Sequence, residues 1–268
     1  MSRRVAVVLA SCGRGAAFDR SVAGFIREVG TRGEVVVVEG GNRLVPEMWR
    51  DGLAGVDADR VAFSTTQMVP RAGWLDRLTG RMDETGAWGV GGTIAAGDGL
   101  GPVGRAVYLQ RFLRYGPGLP LPARPSGENA LYRTEKLAEV ARDWSAGFWE
   151  IKVQQALEAN GAMWASEPRA VVDFAGTSRL LAIARDRFAH ARWFGVERLS
   201  GRGKIERMAR GLASPLIPAV LLGRAGKSLI RRRMGVGPWL GAMPSFLAIS
   251  SAWAAGEAIG AWFGGGRV

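Results

Sequence analysis

The residues best placed to do chemistry stand at the end of an apolar stretch. VAFSTTQMVPRAGWL, Val61 to Leu75, holds a strand-forming run to Ser64, then Thr65-Thr66-Gln67, then Pro70 and Trp74 opening a helix. In an open α/β sheet a ligand site belongs at the carboxyl end of such a strand, so this polar tip is the first place to look. Two hydroxyls and an amide are neutral hydrogen-bonding groups, whereas magnesium favours carboxylates and phosphate oxygens in an octahedral array. No tightly held metal is expected there. The chain has 1 cysteine, Cys12, and 1 histidine, His190. These counts exclude an intramolecular disulfide, a four-cysteine zinc site and a multi-histidine metal centre, and the single thiol suits a reducing compartment.

The elements that must position the tip follow from hydrophobic periodicity. Val5 to Ala10 is a continuous apolar, β-branched run ending at Ser11-Cys12-Gly13-Arg14, the pattern of a strand covered on both faces. Arg3 and Arg4 ahead of VAVVLASC imitate a lipoprotein signal, but the apolar run falls short of the usual signal core of roughly 7 to 15 residues. Val22, Phe25, Ile26 and Val29 lie on one helical face of Phe18 to Val29, and Val35 to Val38 forms a second strand closed by Glu39-Gly40-Gly41. Strand, helix and strand in this order predict a βαβ unit with a parallel pair and a right-handed crossover. A short amphipathic segment, Val45 to Leu53, precedes the third strand, Val61 to Ser64, and a helix runs from Trp74 to about Thr85. Trp88 to Ile94 reads as another strand. Gly97 to Pro125, rich in Gly and Pro and containing Tyr108, Phe112 and Tyr115, reads as a mobile loop or lid. Thr134 is a plausible N-cap, the stretch Ser145 to Glu150 begins a further helix that stops at Asn160-Gly161, and Ala170 to Phe174 is a last strand. No internal repeat or low-complexity tract interrupts this order.

Five places along residues 4–200 together resemble the family-2 glycosyltransferases, enzymes of the GT-A fold. VAVVLASCGR is similar to the family's opening strand with its polar turn beside the nucleotide base. EVVVVEGGN from Glu34 is similar to the strand whose terminal acidic residue contacts uracil or ribose; Glu39 takes that place, and Gly40 stands where a second aspartate is common. Val45 to Leu53 resembles the helix carrying an Arg and a Gly-Leu, which maps Arg50 toward a diphosphate, although a surface arginine on an amphipathic helix has the same appearance. The strand tip resembles the segment that normally carries two or three aspartates before Pro-x-x-x-Trp-Leu, with Thr65, Thr66 and Gln67 in the acidic positions. Asn129-Ala130-Leu131-Tyr132-Arg133 and Phe148-Trp149-Glu150 are similar to the acceptor-side strand and to the helix start that carries the catalytic carboxylate of inverting members.

The resemblance implies an α/β, GT-A-like, Rossmann-related fold, with a mostly parallel sheet flanked by helices. It implies Glu150 as general base, taking the proton of an acceptor hydroxyl as the bond from sugar to diphosphate breaks. A carboxyl beside Phe148 and Trp149 would stand in a partly apolar wall that strengthens it as a base. The same residue also reads as a first-turn glutamate favoured by the helix dipole. Ser11, Arg14, Glu39, Arg50, Thr65, Thr66 and Gln67 map to the donor side, and Asn129 and Trp149 to the acceptor side. The implied substrate is a nucleotide sugar. With no cofactor held tightly and the carboxylates for a divalent cation missing, arginines such as Arg14, Arg50 and Arg192 would have to neutralise the leaving diphosphate. His190-Ala191-Arg192-Trp193 is similar to the Gln-x-x-Arg-Trp of processive synthases, with Ala189 in place of the glutamine; Trp193 and Phe194 equally suit an interfacial helix.

Charge and hydropathy set the last third apart. The net charge is +12, and Arg179 to Arg233 carries 14 Lys and Arg against 3 acidic residues. Such a block serves nucleic acid, an anionic membrane or phosphorylated ligands. No nucleic-acid reader motif accompanies it, while Gly237 to Gly256 is a 20-residue uncharged run, long enough as a helix to reach roughly 30 Å. A membrane-associated helical tail is therefore expected over residues 201–268, after a catalytic domain over residues 1–200. Gly211 to Gly223, broken by Pro215 and Pro218, is expected to be interfacial or re-entrant. Arg231-Arg232-Arg233 between the two apolar runs places the domain on the cytoplasmic side by positive-inside bias. Glu257 must lie at the interface or be paired within protein. A soluble helical hairpin packed on the domain is the alternative for the tail. Together these features predict a membrane-associated glycosyltransferase with a cell-envelope glycan or lipid-linked acceptor and membrane lipids as partners. The alternative is a degenerate relative serving as a binding or scaffold protein at the membrane.

Overall fold

The computed structural model describes residues 4–15, 17–41, 43–118, 120–176, 179–199, 201–232 and 237–263. Arg3 and Arg233, which entered the sequence reading, lie outside the described residues. The chain divides into two compact units, Met1–Asp98 with Arg114–Ala175, and Gly99–Leu113 with Gly176–Val268. The expected boundary after residue 200 falls elsewhere: the second unit starts at Gly176 and takes in residues 99–113.

The first unit is built on a 7-stranded sheet of order β2-β1-β3-β6-β5-β7-β4. Its strands are β1 (Val5–Ser11), β2 (Gly33–Glu39), β3 (Arg60–Thr65), β4 (Met68–Pro70), β5 (Gly89–Ala96), β6 (Ala130–Arg133) and β7 (Trp164–Phe174). Helices α1 (Phe18–Val29), α2 (Val45–Ala54) and α3 (Trp74–Thr85) fall where the periodicity places them. As expected, β1 runs parallel to both β2 and β3. The sheet as a whole is not mostly parallel. β6 is antiparallel to β3 and β5, and β4 is antiparallel to β7, against parallel pairs β1–β2, β1–β3 and β5–β7. The reason is connectivity, because β4 follows β3 through a two-residue turn and reaches the far edge of the sheet, where its partner is β7. β7 is also longer than its apolar end, since Trp164 to Glu167 continue the pairing with β5 across a register shift between Gly92 and Thr93.

One face of the sheet carries a single apolar cluster of Val8, Ala10, Phe63, Tyr132 and Phe148 with Trp49 of α2. Phe63 and Phe148 rings stand 4.3 Å apart, and Phe63 and Tyr132 5.9 Å. α2 can approach the sheet because Gly52 faces it; a Cβ there would lie 2.3 Å from Val8 Cγ1. Val7, Leu9 and Ala62 alternate to the opposite face and are also fully buried. There Phe25 of α1 meets Trp74 of α3 edge-on at 5.1 Å. Three helices complete the unit, α4 (Pro102–Val107) belonging to the second unit: α5 (Thr134–Glu139), α6 (Ala141–Trp144) and α7 (Glu150–Ala159). Thr134 is the first helical residue and not the cap, which is Arg133.

The second unit is helical. The expected lid is not a loop over residues 102–115: α4 passes into a π-helical turn at Tyr108–Phe112 and a 3-10 turn at Leu113–Tyr115. Tyr108 and Phe112 are buried in this unit, and Tyr115 is buried in the first. Tyr108 stacks on Trp239 at 5.7 Å and Gln110 Nε2 donates to Ser250 Oγ at 3.3 Å. The aromatics that break up the Gly- and Pro-rich stretch are core residues. The remaining helices are α8 (Leu180–Arg198), α9 (Lys204–Ala213), α10 (Ile217–Arg231), α11 (Gly237–Leu240) and α12 (Met243–Phe263). Pro215 and Pro218 stand at the start of a 3-10 turn and of α10, positions where a missing N–H costs nothing, so the segment 211–223 stays helical.

Among the described residues no helix is long and apolar enough to cross a membrane. The run 237–256 is split between α11 and α12, and α12 is protein core. It packs on α8 with little room between backbones. A Cβ at Gly256 would lie 2.2 Å from Phe188 O, one at Gly260 2.2 Å from Arg192 O, and one at Gly195 2.6 Å from Glu257 O. Trp253 faces His190 at 5.7 Å and Phe194 at 5.9 Å. Glu257 is paired within protein, accepting from Arg198 Nη1 at 3.2 Å and Trp253 Nε1 at 3.1 Å. On the face that meets α8 this run is buried against helix.

Candidate functional site

Parallel pairing brings the carboxyl ends of three strands to one edge. Ser11 pairs with Glu39, and Ala10 with Thr65. Beyond β1 the chain turns through Gly13 at φ +96°, which returns Arg14 toward the end of β2. Arg14 Nη2 donates to Glu39 Oε1 at 2.7 Å, with both side chains largely exposed. Ser11, Arg14 and Glu39 thus form one side of the edge. An exposed ion pair of this kind adds little stability and is open to exchange with an anionic ligand.

The strand tip is mostly structural. Thr66 N donates to Ala10 O at 3.0 Å and Thr66 Oγ1 accepts from Cys12 N at 3.2 Å, so Thr66 sews β3 to β1. Thr65 is 3% exposed and its hydroxyl has no partner in the structure. Gln67 is half-buried and its carbonyl accepts from Ala175 N at 2.8 Å. Among the described residues no group of three His, Cys, Asp or Glu side chains could hold a metal. A neutral donor set, with Thr66 already engaged, is a poor fit to a divalent cation. Arg50 is not drawn to the tip by its contacts: Nε and Nη2 donate to neighbouring Asp51 Oδ1 at 2.7 and 2.5 Å, and Asp51 also pairs with Arg43. Arg192 belongs to α8 of the second unit.

Opposite Ser64 lies a second group of residues. Trp49 Nε1 donates to Ser64 O at 2.8 Å, while Ser64 Oγ donates to Glu128 O at 2.8 Å. Glu128 is 4% exposed, and its Oε2 accepts from Ser126 Oγ at 2.8 Å. Glu150, the first residue of α7 and half-buried, accepts from Gly127 N at 2.7 Å through Oε2. Gly127 is required there, since a Cβ would fall 2.3 Å from Glu150 Oε2 and 2.7 Å from the Trp49 ring. Burial, then Glu150, then Glu128 push the Tyr115 hydroxyl well above the ordinary phenol range, against an opposing pull from Arg114 and Arg124. Tyr132 is raised too, chiefly by burial and further by Glu150, while its hydrogen bond from Gln154 opposes the shift. Both phenols stay protonated beside the two carboxylates.

The other acceptor-side residues are load carriers of the fold. Asn129 is fully buried; Oδ1 accepts from Trp74 Nε1 at 2.8 Å, and Nδ2 donates to Thr93 O at 2.8 Å and Ala170 O at 3.1 Å. It joins α3 to β5 and β7. Trp149 is buried at the N-cap of α7 against Gly147. The sequence reading missed Glu128, Tyr115 and Trp49. Glu128 carried a visible signal, a charged residue between Gly127 and Asn129 at the mouth of a strand.

The sequence matches no family model and no curated protein. Solved structures similar to this chain include TarS 1-349 of S. aureus, at 12% identity and TM-score 0.46, over 73% of this chain and 65% of that one. The match thus spans less than two thirds of the TarS fragment. A second is glucosyl-3-phosphoglycerate synthase from Mycobacterium tuberculosis with Mn2+, UDP-glucose and phosphoglyceric acid, at 16% identity and TM-score 0.43, over 75% and 81%. A third is the mannosyltransferase PcManGT from Pyrobaculum calidifontis with GDP-mannose and Mn2+, at 14% identity and TM-score 0.49, over 94% and 87%. The synthase and the mannosyltransferase each hold a nucleotide sugar together with Mn2+.

Proposed function

We propose that this chain is a GT-A glycosyltransferase of the family-2 type, which moves a sugar from a nucleotide sugar to a cell-envelope glycan or lipid-linked acceptor with inversion, at the cytoplasmic face of a membrane. The observation that carries the reading is the strand edge itself. A cation–carboxylate pair at the ends of β1 and β2 lies on one side of β3, and the carboxylates of Glu128 and Glu150 lie on the other, linked through Ser64 and Trp49. The nucleotide enters over Ser11 and Glu39, and Arg14, released from Glu39, turns to the diphosphate. The acceptor hydroxyl attacks the anomeric carbon as the bond to the diphosphate oxygen breaks, and its proton passes to Glu150. The Gly127 amide fixes the direction of that carboxylate, and the protonated Tyr115 and Tyr132 hydroxyls keep a third negative charge away from it. Cation chemistry forms no step here, because the tip offers no charged ligand for one.

Calorimetric titration of UDP, GDP and dTDP, with and without EDTA, tests the donor side, and sugar transfer by Glu150→Gln tests the base. Nucleotide binding that withstands EDTA is expected. Loss of a general base lowers turnover by about 100- to 10,000-fold, with donor affinity unchanged. Failure of every nucleotide to bind, or transfer by Glu150→Gln at the wild-type rate, would reject the assignment and leave a scaffold role.

A further inference from the structure

Helix α9 of the second unit and the turn that leads into α10 are amphipathic the wrong way round for a protein core. Where α9 and the following turn pack inward they bury Gly211 and Ser214, and Gly211 is needed because a Cβ would lie 2.0 Å from Trp262 Nε1. The large side chains point outward. Ile205, Met208, Leu212, Leu216 and Val220, at helical spacings of three and four, are between 49% and 86% exposed. Single exposed leucines are ordinary, but an unbroken stripe along two successive helices is a binding face. Trp262, 43% exposed, and Phe263, 78% exposed, extend it at the end of α12, where Trp262 Nε1 meets Met208 O at 3.5 Å.

The charge around the stripe decides its occupant. Lys204, Arg210, Arg224, Lys227 and Arg231 are all exposed on the same two helices, and Glu206 is the one acidic residue between 204 and 231. A second copy of the chain would set these cations against its own. An apolar stripe bordered by Lys and Arg, with aromatic residues at its end, matches a bilayer surface, in which apolar side chains enter the acyl boundary and cations meet anionic headgroups. Beside it, Leu109, Leu222, Leu229, Trp239 and Met243 line an open apolar groove of about 150 Å3, wide enough for part of an acyl chain.

We propose that the α9–α10 face is a monotopic docking surface for anionic phospholipid bilayers, lying in the interface without crossing it. It gives a surface to the membrane placement in the proposed function and is independent of the sugar chemistry. Flotation of the full chain with vesicles tests it, using equal parts phosphatidylglycerol and phosphatidylcholine against phosphatidylcholine alone, with no nucleotide present. Binding to the anionic vesicles is expected, weakening with salt. Leu212→Asp with Leu216→Asp should lower partitioning about 100-fold, near tenfold for each leucine removed from the acyl boundary. Arg224→Ser with Lys227→Ser, on exposed positions that do not enter the core, should lower it about 30-fold on anionic vesicles alone. Thermal melting reports that both variants remain folded. A wild-type chain left in the aqueous fraction, or variants that float as well as wild type, would overturn the proposal. So would concentration-dependent dimerisation abolished by the leucine variants with no vesicle binding, which would assign the face to a second copy. Nucleotide binding proceeds or fails separately in each case.

Discussion

Replacing Gly127 with alanine introduces one methyl group where three atoms already stand: Glu150 Oε2 at 2.3 Å and Trp49 Cη2 and Cζ3 at 2.7 Å each. Gly127 is not among the residues with positive φ, so the effect is steric and leaves backbone preference aside. Trp49 has little freedom to yield, being 3% exposed and held by its bond to Ser64 O at 2.8 Å. The carboxylate must therefore swing off the Gly127 amide, or the indole must shift into Phe63 and Phe148. Overpacking of this kind costs about 1–3 kcal/mol, and for a chain of this size the melting temperature should fall by about 2–4 °C for each kcal/mol. Trp49→Phe removes the two ring atoms that would collide. It destabilises the protein by itself, since Ser64 O loses its indole donor, and the double-mutant cycle is for that reason the measure. Calorimetric or circular-dichroism melts of the two single variants and the double variant should give a coupling of about 1 kcal/mol or more, with the alanine better tolerated when residue 49 is Phe. A Gly127→Ala protein that melts with the wild type, or strictly additive effects, would refute the placement of Glu150, Gly127 and Trp49 around one point.

Asn129→Ala should destabilise by about 3 kcal/mol or more, because it leaves the Trp74 indole N–H and two buried carbonyls without partners; denaturant unfolding measures it, and a loss of donor affinity without loss of stability would contradict its structural role. His190 is held neutral, its pKa pushed well below the ordinary 6.5 by burial first and then by Arg187 and Arg111. The unfolded chain takes up a proton near pH 6.5 and the folded chain does not, so stability is complete above that value and falls as the pH drops below it, by up to about 1.4 kcal/mol per pH unit. Denaturation followed by tryptophan fluorescence between about pH 7 and 5.5 should show this slope, and His190→Gln should flatten it; equal slopes in both proteins would refute the assignment.

How much was legible before the structure depends on how local each signal is. The bounds of α1 and α3, the three parallel strands at the amino end and the stop at Gly161 follow from periodicity and from residues whose backbone preferences act over a few positions. The strand tip and the Glu150 helix start were found for the same reason, each being a short motif on a single element. Asn129 shows the limit. Its type invited a ligand role, yet its three partners come from residues 36 to 55 positions distant in sequence, and no local pattern reveals that all its bonds are taken. Glu128 and Tyr115 likewise became part of the site only when Ser64, Ser126 and Glu150 gathered around them.

The tail gives the plainest division. Its low charge and apolar content were determined by sequence, as was the density of cations ahead of it. An apolar helix reads the same whether lipid or another helix covers it, because both exclude water alike. On the α8 side the cover is helix, because Gly195, Gly256 and Gly260, which mean little one at a time, together let α8 and α12 approach backbone to backbone. The reverse holds for α9 and the turn after it, where ordinary helix formers placed large apolar groups outward only because the small residues Gly211 and Ser214 took the inner face. Sequence supplied the stripe; the packing of its neighbours set which side of it meets the solvent.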